Sequence, residues 1–84
     1  MISNTTSEVT RIVGPWKGKG GDVFTIWMKC CDDKHRKVFA ASDNLNFKRW
    51  KQVIDAGVGT TLNGCFVYTG NNDIIDGDSP VEIL

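Results

Sequence analysis

The chain has 84 residues, enough for one small core and too few for a multidomain enzyme. It is 40% hydrophobic and 24% charged, the balance of a folding globular chain rather than a disordered one. Ten Lys and Arg cancel ten Asp and Glu, yet every basic residue lies between Arg11 and Lys51, so residues 1–51 carry a net +5 and residues 52–84 a net −5. That segregation suits one face turned to an anionic partner and another that repels it or meets a basic one, and equally suits a dipolar surface with no partner. No apolar run approaches the about 20 residues of a membrane-spanning helix, and the first residues lack the pattern of a signal peptide, so a cytoplasmic location is expected. Cys30, Cys31 and Cys65 are odd in number and two are adjacent, which argues for reduced thiols over a disulfide framework.

Residues 1–7 are polar and unpatterned and read as a flexible lead-in, with a single domain over 8–84. Val9 to Val13 is β-rich and ends at Gly14-Pro15, giving a first strand. The run Trp16-Lys17-Gly18-Lys19-Gly20-Gly21 then reads as a mobile, basic loop bearing one aromatic. Val23 to Cys31 is strongly strand-like, and its even positions Phe24, Ile26, Met28 and Cys30 are apolar, so these face the core while Val23, Thr25, Trp27 and Lys29 face away. Asp32 to His35 is a polar turn leading to a third strand over Arg36 to Ala41. A turn of two or four residues places Arg36 and Val38 on the outer face beside Trp27 and Lys29; a turn of three or five exposes Lys37 and Phe39 instead, and the sequence leaves this register open.

Ser42, Asp43 and Asn44 are competent helix caps, and Phe47, Trp50 and Ile54 recur at helical spacing up to a stop at Gly57, with Lys48, Arg49 and Lys51 off the apolar stripe. Thr60 to Thr69 reads as one long strand with a bulge at Asn63-Gly64, although a hairpin turn there is the other option. Gly70 to Asp73 breaks the chain, Ile74-Ile75 adds a short strand, and Val81 to Leu84 closes as an edge strand.

The familiar catalytic and cofactor motifs do not fit. A phosphate loop needs four residues before its Gly-Lys pair and a hydroxyl after it; Gly14 to Lys19 has three and then Gly20. Cys30, Cys31, Cys65 and His35 are the whole supply of Cys and His, Cys30 and Cys65 read as core, and adjacent strand residues point to opposite faces, so no zinc site is expected. Asp73, Asp76 and Asp78 lack the ligand spacing of a calcium loop. His35 has no Ser or Cys partner by spacing, so neither catalysis nor a cofactor or metal is expected.

What remains is aromatics interleaved with cations: Trp16 beside Lys17 and Lys19, and Trp27 beside Lys29 with Arg36 and Lys37 across the hairpin. Bases stack on an indole whatever their identity while Lys and Arg neutralise the backbone, which suits single-stranded nucleic acid. Tryptophan is also frequently buried or part of a protein interface, and Trp50 reads as core. The order of three strands, helix and further strands, with Val23 to Ala41 as a ligand-facing hairpin and Asp43 to Gly57 as a plugging helix, resembles a small OB-fold single-stranded-DNA-binding protein over residues 8–84. The closing segment Asp76-Gly77-Asp78-Ser79-Pro80-Val81-Glu82-Ile83-Leu84 is similar to the last strand of such domains.

That resemblance implies a five-stranded barrel with one helix between strands three and four, binding single-stranded DNA or RNA without catalysis. The outer face of strands two and three and the loops after strands one and four would hold the ligand, with Trp16, Lys17, Lys19, Trp27, Lys29, Arg36, Lys37 and Val38 as the binding residues. The small size would suit a phage or mobile-element replication or recombination protein, and self-association would raise avidity. Two alternatives stand beside it: a small protein-binding module or inhibitor acting on a nucleic-acid-processing enzyme through Asp73, Asp76, Asp78 and Glu82, and an SH3-like adaptor, which would lack the helix.

Overall fold

One apolar strand organises the molecule. In the computed structural model, which describes residues 5–64, 66–69 and 73–84, Phe24, Ile26, Met28 and Cys30 are buried on one face of β2 (Gly21–Cys30). β2 is paired antiparallel along both edges, with β1 (Thr5–Gly18) and with β3 (His35–Ala41). After helix α1 (Phe47–Ala56) come four short strands: β4 (Thr61–Gly64), β5 (Tyr68–Thr69), β6 (Ile74–Ile75) and β7 (Val81–Ile83). The described residues form one sheet in the order β5-β6-β3-β2-β1-β4-β7, curled into a half-barrel. The class is mainly β with a barrel-like sheet and, among the described residues, one helix after the third strand and seven strands where five were expected.

One extra strand arises because the expected long strand is interrupted, and the other because β6 and β7 are separate. β4 lies between β1 and β7, whereas β5 pairs with β6, whose other edge runs parallel to β3. Across the interruption the ladder gives way to bonds with the 76–80 turn. The Val67 amide donates to the buried Ser79 hydroxyl at 2.9 Å, and the Asp76 amide donates to the Val67 carbonyl at 2.7 Å. Gly64 allows a close approach here, since a Cβ on it would lie 2.8 Å from the Pro80 carbonyl oxygen. Cys65 and the predicted break at residues 70–72 lie outside the described residues.

β1 also departs from expectation. It begins at Thr5, so the predicted lead-in contributes to the sheet from there on, with Ser7 buried between Cys30 and Leu62. It also continues beyond Pro15, so the predicted mobile loop is a two-stranded ribbon in which Trp16 faces Val23, Lys17 faces Asp22 and Gly18 faces Gly21. The ribbon tip is tied down: the Ser42 hydroxyl donates to the Gly20 carbonyl at 3.0 Å and the Ser42 amide to the Asp22 carbonyl at 3.0 Å. Two register shifts, between Val9 and Arg11 and between Val13 and Trp16, insert extra residues that bend the strand. The first decides orientation, because after it Val9 remains in the core while Arg11 and Val13 emerge on the outer face.

The helix follows its apolar stripe. Trp50 and Val53 are fully buried, Phe47 and Ile54 pack on the core margin, and Gly57 at φ 87° returns its amide to the Val53 carbonyl. α1 packs against β3 and β7. The Trp50 Nε1–H donates to the Gly77 carbonyl at 2.8 Å and its ring stacks on Phe66, fastening the helix to the 76–80 turn. Of the predicted caps, Asn44 serves the turn before the helix, its Oδ1 accepting the Ala41 amide at 2.8 Å; the N-cap position is Asn46.

Candidate functional site

The decisive local feature is the turn between β2 and β3. The Cys30 amide donates to the Lys34 carbonyl and the Asp33 amide to the Cys30 carbonyl, both at 2.9 Å, leaving Cys31, Asp32 and Asp33 as a three-residue turn. Asp33 takes the left-handed conformation, φ 65°, that such a turn requires at its last position and that Asp tolerates better than most residues. An odd turn sets Met28 opposite Arg36, Trp27 opposite Lys37 and Thr25 opposite Phe39. Two predicted site residues are thereby corrected. Arg36 and Val38 point to the core side with the even residues of β2 and do not join the outer face; Val38 is fully buried and Arg36 is 8% exposed.

Arg36 is occupied there. Its guanidinium donates twice to Asp32, at 2.9 and 2.8 Å, and lies 4.7 Å from the Tyr68 ring centroid, so it braces the turn and joins it to β5. The hydrogen bonds from Arg36 hold the Asp32 carboxyl down at about 2, and the same pairing raises Arg36 above its usual value. Burial pushes the Tyr68 phenol up.

The outer face carries a different group, laid out in cross-strand rows. Arg11, Trp27 and Lys37 form one row across β1, β2 and β3, and Val13, Thr25 and Phe39 the next. These six residues line a shallow depression of about 320 Å³. The Lys37 ammonium sits 4.6 Å from the Trp27 ring centroid and 5.6 Å from that of Phe39. Trp16, 46% exposed, meets Phe39 edge-on at 6.4 Å, and its Nε1–H makes a long bond of 3.4 Å to the Thr25 hydroxyl. Three aromatic side chains and two cations therefore share one surface. Lys29 borders it in the row Glu8, Lys29, His35, and Lys17 and Lys19 lie at the ribbon end.

Lys29 pairs with Asp33 at 3.6 Å and Lys17 with Asp22 at 3.5 Å, both in the open, where such pairs hold weakly and exchange readily for other anions. No ion pair engages Arg11, Lys19 or Lys37 among the described residues. Of the predicted binding residues, the fold thus gathers Trp16, Trp27, Lys29 and Lys37, keeps Lys17 and Lys19 nearby and withdraws Arg36 and Val38. Sequence reasoning did not select Arg11 and Phe39. Phe39 was available to it through the odd-turn alternative, whereas nothing local marks the bulge that turns Arg11 outward.

The acidic segment is largely occupied with its own turn. Asp78 accepts the Leu45 amide at 2.8 Å, and Asp76 accepts the Asp78 amide at 2.9 Å, while Glu82 is exposed on the edge strand. Among the described residues no three His, Cys, Asp or Glu side chains gather as a metal set, and no helix is long and apolar enough to cross a membrane. Comparison with protein-family models, with curated proteins and with solved structures gives no match.

Proposed function

We propose that the chain is a non-catalytic single-stranded DNA-binding domain built on an OB-like barrel. The observation that carries this reading is the grouping of Trp27, Phe39 and Trp16 with Lys37 and Arg11 on the outer face of β1, β2 and β3. Exposed Trp16 and Phe39 and half-buried Trp27, set among cations, fit a chain that alternates flat bases with phosphates. The connectivity supports the barrel reading as well. With β4 and β5 counted as one broken strand and β6 and β7 as another, β1 pairs with the fourth strand and β3 runs parallel to the fifth, around a helix placed after the third.

In this mechanism bases stack on Trp27, Phe39 and Trp16, each contact worth roughly 1–3 kcal/mol, and Arg11, Lys17, Lys19, Lys29 and Lys37 contact phosphates. Neutralising three to five phosphates gives a log–log salt slope of about −2 to −3.5 for a single strand. Sequence choice is weak because every base presents a ring face.

Titration with oligo-dT at low and moderate salt, read by tryptophan fluorescence and independently by anisotropy of a labelled oligomer, tests the reading. Quenching that weakens with salt and is largely lost in folded Trp27→Ala is the expected result. Absence of binding at low salt in both assays would overturn it.

A further inference from the structure

The Trp27 ring is not bare. Lys37 stands directly across the ladder from it, half-buried, with its ammonium 4.6 Å from the ring centroid and 5.6 Å from that of Phe39. The cation therefore covers stacking surface that an incoming base would use. Arg11, the other cross-strand neighbour of Trp27, lines the same depression from β1. Among the described residues no carboxylate pairs with the ammonium, so the two rings are what hold it.

We propose that Lys37 is a displaceable cover that makes this face selective for rings carried on an anionic backbone. A neutral aromatic ligand would have to dislodge the ammonium and offer it nothing, so it binds poorly. A nucleotide chain dislodges it with a base and supplies a phosphate to receive it, so stacking and charge neutralisation occur together. Lys37 is thus a specificity residue rather than merely one of several phosphate contacts, an inference that rests on reading this face as a single-strand platform.

The test compares an eight-nucleotide oligo-dT with a neutral eight-thymine peptide nucleic acid, on the full chain and on Lys37→Met and Lys37→Arg. Methionine keeps the length of the stem and removes the charge. The native chain favours the DNA; Lys37→Met narrows that preference by about tenfold, the worth of one charge-assisted contact, and binds the neutral oligomer better than the native chain does. Its salt slope falls by about 0.7, one phosphate for a single strand, and Lys37→Arg restores both. In the free protein the ε-methylene protons of Lys37 are shifted upfield by the Trp27 ring current and lose that shift when oligo-dT saturates the protein.

If Lys37→Met weakens both oligomers equally, or the ring-current shift survives saturation, the cover is refuted while the platform stands. Failure of the native chain to bind oligo-dT at low salt would overturn both.

Discussion

Replacing Phe39 and its neighbour Val38 by alanine, one at a time, separates the two faces of β3. Val38 is fully buried opposite Ile26, so its alanine variant loses two methyl groups from the core. At about 0.8 kcal/mol per carbon plus a residual cavity, the expected destabilisation is roughly 2–3 kcal/mol. For a domain of this size that is a fall in Tm of roughly 8–24 °C. Phe39 is 37% exposed and touches Trp16 and Lys37 rather than the interior. On the proposed stacking role its alanine variant is expected to keep most of its stability but to lose one stacked base, roughly 1–3 kcal/mol, or about 5- to 150-fold in Kd. Circular dichroism melts and anisotropy titrations with oligo-dT, done on both variants at a temperature where both are folded, measure the two quantities. A Phe39→Ala variant that melts as early as Val38→Ala while binding normally would refute the odd register and the face built on it.

Two further expectations concern the frame. Trp50→Phe leaves the Gly77 carbonyl without its 2.8 Å donor in a buried setting, at about 1–3 kcal/mol, together with a cavity; urea unfolding should show a loss larger than that of Phe66→Leu, which removes only the stacked ring. The Asp32 carboxyl, lowered by Arg36 from 3.8 to about 2 in the fold, stabilises the native state above its unfolded value and loses that contribution as pH falls from about 4 through 2. Melts between pH 5 and 2 should therefore show a shallower acid decline for Asp32→Asn than for the native chain, and an unchanged acid limb would remove Asp32 from the account.

The parts of this structure legible in the sequence are those governed by local periodicity. Phe24, Ile26, Met28 and Cys30 alternate strictly enough to fix which side of β2 is core, and the stripe through Phe47, Trp50 and Ile54, stopped by Gly57, marks the helix. Arg36 and Val38 were harder because their side depends on whether the turn holds an odd or even number of residues, and Cys31-Asp32-Asp33 contains no Asn-Gly or Gly pair to declare its type. The ribbon through Trp16 to Gly18 was hidden by its glycines and Pro15, which argue locally for a loop; pairing with Gly21 to Val23 and anchorage by Ser42 override them. The division between β4 and β5 was hidden for a related reason. The Ser79 hydroxyl that satisfies Val67 comes from 12 residues away, and no window of sequence around Val67 contains it.

Because β2 is apolar on its core face and aromatic on its outer face, Val23-Phe24-Thr25-Ile26-Trp27-Met28 is six residues without charge, proline or glycine, the composition that stacks into cross-β fibrils when left unpaired. In the fold this segment never presents an open edge, since β1 and β3 cover its whole length. Asp22 and Lys29, of opposite charge, stand at its two ends as gatekeepers. The strand at the centre of the proposed platform is therefore also an aggregation hazard of the unfolded chain, and a variant that frees β1 or β3 from it is expected to lose solubility.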